Sequence, residues 1–174
     1  MIHVTSAMVS LSPATREEKV ALDNLMQLYK YDWSELAALD VGDDGRYEDY
    51  PLDDYWTDEG RHPFLLRVGG KLAGFALVAA RSRLTGAAGV FDMAELFVMR
   101  RYRRRGIGRQ AAFAAFDRLR GSWEIRQRAS NAAAIAFWRR VVAAYTGGDY
   151  REVYWDDTAW TGPVQMFSCK PPPH

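Results

Sequence analysis

Met99–Gln110 reads MRRYRRRGIGRQ, with six arginines (Arg100, Arg101, Arg103, Arg104, Arg105 and Arg109) inside ten positions and two glycines, Gly106 and Gly108, at its end. So much charge beside a glycine turn admits three readings: a nucleic-acid patch, a phosphate cradle or a solvated loop. What lies on either side narrows them.

Upstream, Val90–Met99 is an apolar run of strand type. Downstream, Ile107–Arg120 has helical spacing, with Phe113, Phe116 and Leu119 on one side and Gly121 placed to end it. Further upstream, Phe64–Val68 and Leu72–Ala80 flank Gly69-Gly70, which predicts a hairpin. Further downstream, Trp123–Arg128 alternates as a strand with one covered face. Ser130 or Asn131 then caps a helix reaching about Tyr145, with Ile135, Trp138, Val142 and Tyr145 as its seam. Gly147-Gly148 stops it, and two strand-like runs follow, Tyr150–Trp155 and Val164–Ser168. Near the start, Val9 and Leu11 suggest a short strand. From Ala14 a helical pattern sets in through Leu22, Leu25, Met26 and Tyr29, and Trp33–Leu39 reads as a second helical piece. This order predicts an α/β (α+β) sheet domain with at least one parallel βαβ crossover.

The totals agree with a single domain over residues 1–170 and a loose tail at 171–174. Net charge is +1 and charged residues make up 26%, so the overall balance offers no reason to expect a polyanionic partner. The single cysteine, Cys169, has no internal disulfide partner and is expected to be an inert buried thiol. A cytoplasmic setting is the expectation, without nucleic acid, membrane or metal. The opening MIHVTSAMVSLSP lacks the pattern of a secretion leader, and the longest apolar run, Leu72–Ala80, is too short to span a bilayer.

Strand, glycine turn and helix form an arrangement that binds phosphate. The first helical turn has N–H groups without intrahelical partners, and the helix dipole adds positive potential there. Glycines admit an anion close to the backbone, and arginines add charge and bidentate donors. A Walker loop would need Lys-Ser/Thr where Arg109-Gln110 stands, and a dinucleotide fingerprint a third glycine where Ala111 stands. VMRRYRRRGIGRQA resembles motif A of the GNAT acetyltransferase superfamily through Arg103, Gly106 and Gly108. About twenty residues on, SNAAAIAFWRRV resembles that family's second motif through Asn131, Ala134 and Phe137.

The resemblance implies a mixed, mostly antiparallel twisted sheet with a splayed parallel central pair, Glu95–Met99 against Trp123–Arg128, and flanking helices. It also implies acetyl-CoA as cofactor. Backbone near Phe97 and Val98 would meet its pantetheine arm. The N–H groups around Arg104, Arg105, Ile107 and Arg109 would face its pyrophosphate, with Asn131 and Phe137 beside the arm. Arg100, Arg101 and Arg104 would meet a 3′-phosphate or water. The reaction implied is direct acetyl transfer to a primary amine, with Glu95 as base because it interrupts the apolar strand FDMAELFVM. Where relatives carry a tyrosine acid this chain has Trp138, so Tyr145 becomes the substitute candidate. A homodimer through the late strands is compatible with the pattern.

Alternatives remain at this level: a coenzyme-binding regulatory domain without catalysis, an arginine-rich nucleic-acid module, and purely structural roles for Glu95, Asn131, Phe137 and Trp138. Residues 40–60 carry nine acids against Arg46. They read as a solvated loop or as the lining of an acceptor cleft, where Asp53, Asp54 and Asp58, with Tyr47, Tyr50, Tyr55 and Trp56, would attract a cationic amine.

Overall fold

A computed structural model describes residues 8–169; the expected tail at 171–174 and most of the opening segment lie outside them. The chain runs β1 (Val9–Pro13), α1 (Lys19–Trp33), α2 (Asp54–Thr57), β2 (Arg61–Val68), β3 (Lys71–Arg81), β4 (Ala88–Val98), a short turn of tight helix (Arg100–Tyr102), α3 (Ile107–Arg118), β5 (Ser122–Arg126), α4 (Ala132–Thr146), β6 (Arg151–Asp156) and β7 (Thr161–Ser168). The seven strands form one sheet in the order β1-β2-β3-β4-β5-β7-β6. Every neighbouring pair is antiparallel except β4 and β5. The expected βαβ crossover is thus β4–α3–β5.

Two apolar layers cover the sheet. On one face Leu22, Leu25 and Met26 of α1 pack with Leu65, Phe75, Leu77 and Phe97. On the other, Ile107, Ala111, Ala112, Ala115 and Phe116 of α3 and Trp138, Val141 and Val142 of α4 pack with Phe64, Ala76, Trp123 and Phe167. The alanines of α3 let its backbone lie close to the strands. Phe113 and Leu119, grouped with Phe116 by spacing, are partly buried and pack against this layer, the Phe113 ring centre 5.0 Å from that of Tyr145.

Three local expectations are corrected. The segment after Trp33 makes turns rather than a helix, because Leu36 and Leu39 have no layer to pack on and stay exposed. α1 starts at Lys19, since Pro13 still pairs in β1 with Phe64 and the chain turns before the helix. β5 is covered on both faces: Glu124 is buried beside Trp123 and Ile125 and accepts a hydrogen bond from Ser82 Oγ, which lies 2.8 Å from Oε2 and 3.0 Å from Oε1.

One irregularity shapes the centre. Leu77 pairs with Glu95 but Val78 with Met93, so Ala94 is an extra residue in β4. Such a bulge bends its strand and sharpens the local twist. β4 and β5 accordingly pair only at Val90–Ser122, Phe91–Trp123 and Asp92–Glu124, and beyond Asp92 the two strands part.

Candidate active site

The parting strands open a cleft of about 1070 Å³. Its walls are β4 from Asp92 to Val98, the end of β5 with the start of α4, and the end of α1. Met99 N–H donates to Ala73 O at 2.8 Å, so antiparallel alternation turns the backbone of Phe97 and Glu95 toward β3. Leu96 and Val98 therefore face the gap. The sequence placed this role on Phe97 and Val98, and Phe97 is the correction. Its carbonyl lies 1.9 Å from where a Cβ on Gly74 would stand, a closeness only glycine permits.

At the end of β4, Arg103 does not reach toward the glycine turn. It donates from Nε to Val98 O at 2.6 Å and pairs with Asp32 at the end of α1. Arg100 also pairs with Asp32, at 2.8 Å. Burial pushes the Asp32 carboxyl up, but the hydrogen bonds from Arg103 and Arg100 outweigh it and hold it below the usual range. Arg103 and Arg100 thus secure the turn, while Arg101, Arg104, Arg105 and Arg109 lie exposed around it. Gly106 takes the left-handed conformation at φ 72° and is the residue before α3, with no side chain capping the helix. The N–H groups of Ile107, Gly108 and Arg109 therefore begin the helix without a side-chain acceptor, a site suited to an anion. By contrast, α4 is capped, Asn131 Oδ1 accepting from Ala134 N–H at 3.0 Å. Asn131, Ala134, Phe137 and Trp138 all line the cleft. Phe137 packs against Gly108, so the two motif helices meet there.

Glu95 lies on the cleft wall, half-buried. Tyr29 of α1 donates to its Oε2 at 2.5 Å, and the Tyr50 hydroxyl stands 3.4 Å from Oε1. Burial raises the Glu95 carboxyl to about 7 against the opposing pull of the Tyr29 hydrogen bond and the Arg126 charge. Tyr29 and Tyr50 are pushed well up by burial and by the Glu95 charge, so both keep their protons. Nothing local in the sequence marked these two as partners: Tyr29 read as a core position and Tyr50 as part of an acidic loop.

Tyr145 is not brought to the cleft. Its hydroxyl donates to Asp117 at 2.9 Å and its ring packs on Phe113, Phe116 and Phe167. Burial, followed by the hydrogen bond with Asp117, pushes the phenol far up. Nor does the acidic stretch line the cleft as a whole. Of its nine acids only Asp58 is on the wall, while Asp53 pairs with Lys19 and Asp49 with Arg46. Of its aromatics Tyr50 is on the cleft wall, while Tyr55 turns into the core and Trp56 donates to Ala14 O at 3.0 Å. Among the described residues no group of His, Cys, Asp and Glu could hold a metal ion, and no helix is long and apolar enough to cross a membrane.

Comparison with known proteins follows the same lines. The model of the acetyltransferase (GNAT) family matches residues 22–142. No curated protein matches the sequence. An acetyltransferase from Thermus thermophilus superposes with a TM-score of 0.63 at 19% identity, covering 94% of this chain and 99% of that one. The aminoglycoside acetyltransferase AAC(6')-Ib, in complex with coenzyme A and kanamycin, gives 0.63 at 15% identity over 92% and 95%. A spermidine N-acetyltransferase from Vibrio cholerae, in complex with CoA and spermine, gives 0.57 at 11% identity over 91% and 93%.

Proposed function

The chain belongs to the acetyltransferase (GNAT) family, and from that premise we propose that it transfers the acetyl group of acetyl-CoA to a primary amine, with both substrates bound together. The observation that carries this reading is the gap between β4 and β5 running up to the uncapped start of α3. The backbone N–H and carbonyl of Leu96 and the N–H of Val98 suit the amides of an extended arm, the Val98 carbonyl being held by Arg103. The first-turn N–H groups of α3, with Arg104, Arg105 and Arg109, suit a pyrophosphate. Asn131 and Phe137 stand on the opposite wall of the same gap. Solved acetyltransferases of this fold are complexed with coenzyme A.

Acetyl-CoA supplies the activated acyl group as a thioester. The chain's own residues must make the amine nucleophilic. An unperturbed lysine-like ammonium has a pKa of about 10.4, and stripping its proton at pH 7 costs about 4–5 kcal/mol. Glu95, raised to about 7 by burial, is a stronger base than an ordinary carboxylate and ionises near neutrality. Tyr29 fixes one carboxylate oxygen through its hydrogen bond. The departing thiolate, from a thiol of pKa about 8.5, leaves without a strong acid. None of Tyr29, Tyr50 and Tyr145 is needed as one, and Tyr145 has no place in the chemistry.

Two measurements test the reading. Coenzyme A at a hundredfold excess over its Kd is expected to add about 2.7 kcal/mol of stability. Acetyl-CoA with an amine panel is expected to release free thiol in proportion to acetylated amine. Stabilisation without transfer to any amine would leave a binding domain and sink the enzymatic reading. Absence of both would sink the coenzyme site as well.

A further inference from the structure

Along β4 from Val98 to Asp92 the cleft passes Glu95 midway, with the arginine-rich turn beside one end and a second group of arginines at the other. Beyond Glu95, away from α3, the wall carries Arg61, Arg81, Arg83, Arg126 and Arg128. The carboxylates there are Asp58 and Asp92. Asp92 is consumed by Arg126 in a buried two-point pair, at 2.7 and 2.8 Å. Asp58 lies 3.6 Å from Arg61. Glu124 is nearby but buried beneath Ser82, outside the cleft wall. Arg81, Arg83 and Arg128 therefore have no carboxylate partner among the described residues.

These arginines stand on fixed supports. Ser82, between Arg81 and Arg83, is buried; its hydroxyl donates to Glu124 and accepts the N–H groups of Leu84 at 3.2 Å and Thr85 at 3.0 Å. Arg81 donates to Gly86 O at 2.8 Å, which closes the same turn. Across the cleft, the guanidinium groups of Arg126 and Arg128 lie 4.4 and 4.8 Å from the ring centre of Trp160. The Trp160 N–H is itself a buried donor with no acceptor among the described residues.

The geometry points to an acceptor that carries an oxyanion, a carboxylate or a phosphate, besides its amine, with Arg83 and Arg128 binding the anion while the amine lies at Glu95. This rests on the acetyltransferase reading above and deepens it. An arginine fork matches either oxyanion in a two-point hydrogen bond. A polycation at this end would meet surplus positive charge, which lowers the affinity of a like-charged partner.

The test uses matched acceptors, with thiol release from acetyl-CoA as readout. 4-Aminobutyrate is compared with butylamine, O-phosphoethanolamine with ethanolamine, and spermidine serves as the polycation. At least one oxyanion-bearing amine is expected to exceed its neutral partner tenfold or more in kcat/KM, and which pair shows the gain tells carboxylate from phosphate. In Arg83→Gln and Arg128→Gln, both at exposed positions, the KM for that acceptor is expected to rise about tenfold. The KM for acetyl-CoA stays unchanged. Equal or better use of both butylamine and ethanolamine than of their oxyanion-bearing partners, or of spermidine than of every oxyanion-bearing acceptor, overturns this inference and leaves the acetyltransferase reading standing. No transfer to any acceptor, with coenzyme A still stabilising the protein, overturns both.

Discussion

Glu95 is the residue on which the proposed chemistry turns, and its environment makes sharp predictions. Its carboxyl is raised from an ordinary 4.5 to about 7, chiefly by burial. As a base it must be ionised, so kcat/KM is expected to rise with pH through about 7 and level off above. Glu95→Gln should lower kcat/KM by about a hundredfold or more and abolish that limb. Tyr29→Phe keeps the ring against Phe75 and Phe97 but removes a donor that favours the charged carboxylate. Its limb should therefore move to higher pH; a limb that stays put would detach Tyr29 from the base. Stability follows the opposite sign. An acid with a raised folded pKa takes up protons on folding, so its contribution turns unfavourable as pH climbs from about 4.5 to about 7 and stays so above. Glu95→Gln removes this penalty, and the variant should gain up to about 3 kcal/mol over the parent between pH 4 and pH 8 in denaturant titrations.

At the scale of elements, the helix starts carry the argument. Asn131→Ala removes the α4 cap and should cost about 1 kcal/mol. Asn131→Asp keeps a cap acceptor and should recover that loss. If it also leaves the KM for acetyl-CoA altered, Asn131 has a second role at the cleft; if both recover, capping is its whole contribution. Elements were legible in the sequence wherever the cause was local. Gly69-Gly70 does join β2 to β3, Gly106 does precede α3, and Asn131 does cap α4. What could not be read was long-range. Tyr29 meets Glu95 across 66 positions and Tyr50 across 45, and neither residue type announces such a meeting. Glu124 looked like the wet side of a strand because Ser82, which satisfies it, lies 42 positions away. The run of charge at residues 40–60 was legible as composition but not as position, since pairing with Lys19 and Arg46 turns it away from the cleft. Neutralising Asp53 and Asp54 together should accordingly leave acceptor KM unchanged.

Taken whole, the molecule is a sheet whose two halves meet along a short seam. Asp92 and Arg126 join β4 to β5 just where they begin to diverge, with side chains 3% and 9% exposed. Asp92→Asn would leave a buried guanidinium uncompensated, at an expected cost of about 3–5 kcal/mol measured by unfolding. Past that seam no strand among the described residues pairs with Leu96 and Val98 on the side of β5, and Arg103 takes only the Val98 carbonyl. Their amide protons should therefore trade rapidly for deuterium in coenzyme-free protein, faster than those of the flanking β3, and slow markedly once coenzyme A is added. The coenzyme would then act as an eighth ribbon of the sheet, and its arrival would be felt as a stiffening of the very strand that holds the proposed base.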